Sequence, residues 1–188
     1  MSNLPKEPLS HERIIHAALA ILDSHGVTGL SMRRLGAALN VEAASLYHHI
    51  PNKNVLIQKV IDADSAKAVV AIEGSQPWTH TFRTFAARFR EVLRRHPGAV
   101  SLVATHAVSA EVGTKLAMPL IASLEQTAAN HEQAIFVIQS IAVFVIGHAL
   151  AEVGNWPDPP TAPLSYYDQW FEMGLSALIS GFEQQFNE

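Results

Sequence analysis

The stretch that decides the fold is residues 29–60, GLSMRRLGAALNVEAASLYHHIPNKNVLIQKV. Ser31 is suited to begin a helix, because its hydroxyl can accept a hydrogen bond from a free backbone N–H of the first turn. Apolar residues then recur at helical spacing and form one face: Leu35, Ala38 and Leu39. Asn40 tolerates the positive φ that a sharp turn requires. The pattern predicts a short helix that ends in a tight turn.

A second short helix is predicted from Glu42 to about His49, with Leu46 and Ile50 facing inward. Pro51 has no backbone N–H and ends this helix, and Asn52 can cap the next one. Two short helices joined by a tight turn are typical of the helix-turn-helix motif, whose second helix lies in the DNA major groove.

The run TGLSMRRLGAALNVEAASLYHHIPNKNVLI resembles the DNA-binding segment of the TetR family of bacterial one-component regulators. The matching residues are Gly29, Leu30, Ser31, Leu35, Leu39, Val41, Ser45, Leu46, Tyr47, His48, Asn52, Lys53 and Leu56. The resemblance implies a three-helix DNA-binding domain over residues 1–60, with the helix-turn-helix at about 31–50. Residues 61–188 would then form a helical ligand-binding and dimerisation domain.

Composition excludes several classes of protein. The chain has no cysteine, so disulfides, thiolate metal sites and cysteine nucleophiles are ruled out. With 48% hydrophobic and 16% charged residues it is globular, and no uninterrupted apolar run has the length of a membrane span. We therefore expect a cytoplasmic protein with no membrane partner. Residues 1–60 hold six Lys or Arg against four Asp or Glu, whereas the rest holds seven against thirteen. The basic excess thus lies on the predicted DNA-binding domain.

The remaining chain is predicted to be all-α. The first helix should run from Ser10 to His25 and end at Gly26, and the fourth from Asn52 to about residue 72, before a loop at 73–77. Further helices are expected at 78–96, 99–105, 115–130, 131–153 and 165–186, with a proline-rich loop at 155–164. In helix 78–96 the phenylalanines share one face, and five arginines lie largely around the other: Arg83, Arg88, Arg90, Arg94 and Arg95.

Nothing in the sequence indicates catalysis, because phosphate-binding, nucleophile-elbow and zinc-protease motifs are all missing. We therefore expect no enzyme, no cofactor and no metal. His148 and Glu152 are four residues apart on one predicted helix face, which is an acceptable spacing for metal ligands. A buried hydrogen bond between these two side chains, or a role in anchoring a ligand, explains the pair equally well.

On the predicted DNA-binding domain, small residues at the start of the second helix allow close approach to the groove, and longer polar residues can reach bases or phosphates. The candidate DNA-contacting residues, several of them matched to family positions, are Ser31, Arg33, Ala43, Ala44, Ser45, Tyr47, His48, His49 and Lys53. Lys53 is the expected phosphate anchor. Core packing is the alternative for Tyr47.

The resemblance implies that helices 131–153 and 165–186 pair with their copies in a homodimer. The residues expected to line an interior effector cavity are Phe82, Phe85, Phe89, Leu102, His106, Gln139, Phe144 and His148. Beyond residue 77 the layout looks like the tetracycline-repressor subgroup, but Val69, Phe85 and Leu102 replace its polar ligand-binding residues. A fairly apolar, metal-free effector is therefore expected.

The predicted function is that of a ligand-responsive transcriptional regulator. It would be a repressor that a small molecule releases from a palindromic double-stranded operator. The alternative is a helical ligand-binding or scaffold protein whose DNA-binding domain is weak or non-functional, which the acidic balance and the two alanines, Ala43 and Ala44, would favour.

Overall fold

The structure, a computed structural model, describes residues 8–69, 76–125, 127–154 and 162–187. Within these ranges it contains nine α-helices, one 3-10 turn and no strand, which confirms the predicted all-α fold. The helices are α1 (His11–Gly29), α2 (Met32–Leu39), α3 (Ala43–Tyr47), α4 (Lys53–Ser65), α5 (Trp78–Arg95), α6 (Pro97–Thr105), α7 (Ala110–Leu124), α8 (His131–Val153) and α9 (Leu164–Asn187), with the 3-10 turn at Ala66–Ala68.

Side-chain caps begin three of the four N-terminal helices, α1, α2 and α4. Ser31 accepts a hydrogen bond from the backbone N–H of Arg34 at 3.2 Å, and Asn52 accepts one from that of Val55 at 3.0 Å. Both caps were predicted, and both satisfy a donor that the first helical turn leaves free. They fix where α2 and α4 begin, on either side of the short helix α3.

Two N-terminal helices differ from their predicted bounds. α1 breaks at Gly26, where φ is 64° and ψ is −175°, but the chain resumes a helical turn and the helix ends at Gly29. Glycine adopts this positive φ without steric cost, so the predicted break is present although the predicted end was wrong. α3 is shorter than expected and ends at Tyr47. Ala38, predicted to be apolar and buried, is exposed on α2.

Three later boundaries also differ. α4 ends at Ser65, earlier than predicted; residues 70–72 of the expected helix and 73–75 of the expected loop lie outside the described residues. α5 ends at Arg95, close to its predicted end, but α6 begins at Pro97 and not at residue 99, because the first helical position needs no backbone N–H. α7 begins at Ala110, so Pro119 lies in its interior and not in its first turn. The proline-rich loop also falls mostly outside the described residues.

The C-terminal helices pack around α5. Its predicted apolar face is buried, including Phe82, Phe85 and Phe89, and it contacts α8, α7 and the 3-10 turn. Arg90 was placed on the polar side of this helix, but it is buried with 8% of its surface exposed. That prediction was wrong because α8 and α9 cover this side of α5 and supply the partners described below.

α8 has the bounds that the sequence predicted. Among the described helices, α8 is the one that is long and apolar enough to cross a membrane as a single helix, with a mean hydropathy of 2.2 over 18 residues. A third of those 18 residues are buried in the fold.

The predicted domain boundary at residue 60 falls inside α4, where Leu56, Val60 and Ile61 are all buried. α4 contacts α1 on one side and α5 and α6 on the other, so it joins the two parts of the molecule.

Candidate nucleic-acid interface and regulatory domain

The turn between α2 and α3 is fixed by two residues. Asn40 has φ 55° and ψ 45°, the left-handed conformation that the sequence predicted there. Gly36 lies so close to the following segment that an added Cβ would be 2.9 Å from the carbonyl oxygen of Val41 and 3.2 Å from the backbone nitrogen of Ala43. A larger residue would push α3 away from α2. Gly36 therefore sets the angle at which α3 is presented.

α3 buries one face and exposes the other. Leu46 and the following Ile50 are completely buried, as predicted, whereas Tyr47 has half of its surface exposed. That exposure favours a surface role for Tyr47 over core packing. Six of the nine candidate DNA-contacting residues are exposed: Ser31, Arg33, Ala44, Ser45, Tyr47 and His48. The other three are half-buried: Ala43, His49 and Lys53.

Two cations of this surface are available for a ligand. Within the described part of the chain, neither Arg33 nor Lys53 has an ion-pair or hydrogen-bond partner for its charged group. The neighbouring Arg34, by contrast, donates to the carbonyl oxygen of Gly29 at 2.7 Å. Lys53 is the first residue of α4, directly after the Asn52 cap. Unpaired cations beside an exposed helix are suited to phosphate contacts.

His11 is a residue of this surface that the sequence did not indicate. Its Nε2 lies 3.0 Å from the carbonyl oxygen of His49, and the two imidazole rings meet edge to face at 5.9 Å. The contact ties the start of α1 to the segment after α3. The two residues are 38 positions apart, so no local pattern could have paired them.

The residues predicted to line an effector cavity separate into two groups. Phe82, Phe85, Phe89, Leu102 and His148 are buried, and Phe144 is half-buried. His106 and Gln139 are exposed in the single chain, so they do not line an interior space formed by one protomer. Phe85 and Phe89 stack with their centroids 5.7 Å apart, and Phe144 contacts Phe171 at 5.6 Å.

A buried network of charges joins α5, α8 and α9, and the sequence reasoning missed it. Arg90 makes a bidentate pair with Glu152, with both nitrogen–oxygen distances at 2.9 Å, and donates to Asp168 at 2.8 Å. Arg94 lies 3.2 Å from the same Glu152. The guanidinium of Arg90 also lies 4.6 Å from the ring centre of Phe171. Two cations and two anions thus compensate each other where three helices meet.

His148 lies beside this network. Its Nε2 is 3.0 Å from the carbonyl oxygen of Tyr167, whereas its Nδ1, 3.5 Å from Glu152, has no hydrogen-bond partner among the described residues. Burial, reinforced by the positive charge of Arg90, lowers the pKa of His148, so the ring is neutral at pH 7. Trp170 and Phe171 flank the ring at 4.7 and 5.1 Å. In the described ranges no three His, Asp or Glu side chains are grouped as metal ligands.

A cavity of about 640 Å³ lies elsewhere, where the end of α1 meets α6 and the end of α8. Its lining combines apolar and polar side chains, and none of the eight predicted effector residues belongs to it: residues 22–28, 97, 98, 101, 150, 153 and 154 form the wall. The volume is in the range of small-molecule sites.

Large apolar side chains remain exposed on α8 and α9. They are Phe136, Val143, Leu164, Tyr166, Trp170 and Met173. An exposed apolar patch on two packed helices usually marks an interface. Gly174 allows the two helices to approach, because an added Cβ would lie 2.7 Å from the ring of Phe144.

Comparisons with known proteins cover most of the chain. Residues 14–60 match the family model "Bacterial regulatory proteins, tetR family", and residues 72–161 match "Tetracyclin repressor-like, C-terminal domain". A tetracycline repressor of class E from Escherichia coli is 28% identical, covering 96% of this chain and 93% of its own length. An HTH-type transcriptional regulator of Saccharopolyspora erythraea is 29% identical over 78% of this chain, which spans only 62% of that protein.

Solved structures share the fold. A tetracycline repressor variant from Acinetobacter baumannii, crystallised with minocycline, superposes with a TM-score of 0.83 at 24% identity, covering 95% of this chain and 99% of that one. BioQ bound to its double-stranded DNA operator gives a TM-score of 0.73 at 24% identity, covering 93% and 98%. With the helix-turn-helix geometry, the two family-model matches and these relatives in agreement, the chain belongs to the TetR family of bacterial regulatory proteins.

Proposed function

We propose that this protein is a ligand-responsive transcriptional regulator that binds double-stranded DNA through α3 and the start of α4. It acts as a repressor in the cytoplasm, and a small molecule bound by its C-terminal domain releases it from a palindromic operator. It has no catalytic role.

The observation that carries the proposal is the surface of α3. The helix is held at a fixed angle by Gly36 and Asn40, it buries Leu46, and it leaves Tyr47 half exposed. Arg33 and Lys53 supply unpaired cations, which suits them to hold the phosphate backbone while α3 faces the bases. The relatives named repressors, and BioQ with its operator, support the same assignment.

Dimerisation follows from the exposed apolar face of α8 and α9. Residues such as Phe136, Val143 and Met173, all more than half exposed in the single chain, would be covered by the same helices of a second copy. A two-fold dimer presents two α3 helices to half-sites about 34–36 Å apart, which a palindromic operator provides. The apolar length of α8 is thereby explained by burial in an interface.

The effector is proposed to be a fairly apolar small molecule bound without a metal among Phe82, Phe85, Phe89, Leu102 and Phe144. His148 is the polar group of this set, and its neutral ring keeps one nitrogen without a hydrogen-bond partner. Such an atom can accept a hydrogen bond from a ligand hydroxyl or amide.

The test is selection of bound duplexes from a random DNA library by the full-length dimer. The proposal predicts enrichment of a palindrome whose half-sites lie one helical turn apart, at about 10–10.5 base pairs. Tyr47→Ala should enrich no common sequence, because it truncates the exposed face of α3. Lys115→Ala serves as the control, since Lys115 pairs with Glu111 on α7, away from α3. A folded wild-type dimer that enriches nothing would favour a ligand-binding protein without a functional DNA-binding domain.

A further inference from the structure

Three charged side chains meet where the DNA-binding part contacts the rest of the molecule. Asp23 lies on α1, Asp64 lies near the end of α4, and His96 is the residue between α5 and α6. The Nδ1 atom of His96 is 3.0 Å from Asp23 Oδ2, and its Nε2 atom is 3.9 Å from Asp64 Oδ1. One imidazole ring therefore faces a carboxylate on each of its two nitrogens.

The backbone brings these groups together. The N–H of Gly98 donates to Asp23 Oδ1 at 3.1 Å, so both oxygens of Asp23 are held by the α5–α6 junction. A Cβ added at Gly98 would lie 2.0 Å from the carbonyl oxygen of Leu22, which no side chain could tolerate. The first turn of α6 thus rests directly on the backbone of α1.

Asp64 is an unusual residue for such a junction. It has 1% of its surface exposed, and its Oδ2 has no hydrogen-bond partner in the part of the chain that the structure describes. Lys67, in the 3-10 turn after α4, lies 2.9 Å from the other oxygen. Burial raises the pKa of Asp64 despite the charges of Lys67 and His96. An apolar residue would pack here at lower cost, so stability alone does not account for a carboxylate.

The other charged groups around His96 are already paired. Arg94 and Arg95 precede it on α5, but Arg94 pairs with Glu152, and Arg95 pairs with Glu91 at 3.0 Å. In the described part of the chain, His96 thus has Asp23 from α1 and Asp64 from α4 as its ion-pair partners across the junction, and Lys67 from the 3-10 turn shares Asp64 with it.

We propose that His96 is a positioning residue for DNA recognition, whose protonated ring links Asp23 to Asp64 and so fixes the DNA-binding part on the C-terminal domain. An imidazolium has an N–H on both nitrogens and attracts both carboxylates. A neutral ring that keeps its N–H on Nδ1, toward Asp23, has a lone pair on Nε2, which faces Asp64. Because a lone pair and a carboxylate oxygen repel each other, the contact between His96 and Asp64 then becomes repulsive. Protonation of His96 therefore tightens the junction while both carboxylates are ionised. This inference rests on the proposed function, because a fixed orientation matters only if two such parts must match one operator.

The test measures the distance between the two DNA-binding parts of the dimer. The protein has no cysteine, so Ala38→Cys, at an exposed position on α2, gives one spin label per protomer. Double electron–electron resonance then reports the distribution of label distances at pH 6 and pH 8.5. We expect a narrow distribution at pH 6 that broadens at pH 8.5. His96→Gln should be broad at both pH values, and His96→Arg, a permanent cation, narrow at both.

Affinity for the selected duplex provides the functional measurement. His96→Gln should bind about tenfold more weakly at pH 6, as expected when the binding-competent fraction falls to about a tenth. His106→Gln is the matched control and should equal wild type, because this histidine is exposed and the hydrogen bonds of its ring within the described residues go to the nearby Thr105 and Leu102. Circular dichroism confirms that each variant is folded. If His96→Gln does not fold, Asp23→Asn replaces it, since Asn keeps an acceptor for the N–H of Gly98 and loses the charge.

The outcomes separate this inference from the proposed function. Equal distance distributions and equal DNA affinities for wild type and His96→Gln at both pH values would overturn the role of His96. A wild-type protein without any distance between labels, or without affinity for a selected duplex, would instead overturn the dimeric regulator itself.

Discussion

Replacing Glu152 with Ala tests whether the buried charge network holds the C-terminal domain together. Glu152 is 3% exposed and is paired with Arg90 through two 2.9 Å contacts and with Arg94 at 3.2 Å. Among the described residues, the substitution leaves Arg90, whose side chain is 9% exposed, with the half-exposed Asp168 as its one anionic partner. Removing one partner of a buried ion pair costs about 3–5 kcal/mol.

For a chain of this length each kcal/mol lowers Tm by about 2–4 °C, so Glu152→Ala should lower Tm by roughly 6–20 °C. The assays are thermal unfolding for Tm and urea unfolding for the free energy, both at one fixed protomer concentration, because a dimer's apparent stability depends on concentration. The double variant Arg90→Met with Glu152→Leu should recover most of the loss, since it removes both charges. Lys115→Ala, which breaks an exposed pair, should change stability by less than about 1 kcal/mol.

Two results would refute this reasoning. Glu152→Ala within about 1 kcal/mol of wild type would mean that the network contributes little, as surface pairs do. A double variant as unstable as Glu152→Ala would mean that packing, and not an uncompensated charge, causes the loss.

Two further predictions concern the junction between α1 and the C-terminal domain. Burial raises the pKa of Asp64 in the folded protein above its unfolded value of 3.8. The folded protein therefore favours the protonated form of Asp64, and the free energy of unfolding decreases as pH rises from 3.8 through the folded pKa. Asp64→Asn should therefore gain stability relative to wild type between pH 4 and pH 7 in urea unfolding; a difference that shrinks over that range would contradict it. Gly98→Ala should destabilise by about 1–3 kcal/mol through the clash with Leu22. Gly113→Ala on α7, where the added Cβ meets ordinary contact, should be neutral or stabilising, and equal effects at both glycines would argue against the clash.

Local chemistry made the helix-turn-helix predictable. The caps at Ser31 and Asn52 and the positive φ at Asn40 depend on interactions within four residues, which the sequence displays directly. The bounds of α8 were predictable for a related reason: Asn130 begins it with a capping box, and the apolar run behind it is long. The resemblance to the family then allowed the candidate DNA-contacting residues to be named within this motif.

The interior of the C-terminal domain was harder to predict because its contacts join distant residues. Periodicity placed Arg90 on a polar face, yet its partners Glu152 and Asp168 lie 62 and 78 residues away in the sequence. Asp64 and His96 are another such pair, brought together only by the packing of α4 against α6. A pattern read along one helix cannot show which neighbour will cover which side.

The pattern for α7 failed for a different reason. The prediction began this helix at residue 115, just before Pro119, but Pro119 is inside a helix that Ser109 caps. Proline in a helix interior removes one backbone hydrogen bond and is disfavoured. Helix propensity therefore predicted a helix that begins near Pro119, whereas the folded protein has the longer helix α7.

The most direct test of the central claim is the salt dependence of binding to the selected operator by wild type and by Lys53→Ala. The account predicts that log K falls linearly with log salt concentration, with a slope of about −0.9 for each phosphate that the protein neutralises. Lys53→Ala should reduce that slope by about one unit per protomer and weaken binding to all sequences alike. A slope near zero, or one unchanged by Lys53→Ala, would contradict a DNA interface formed by α3 and the start of α4.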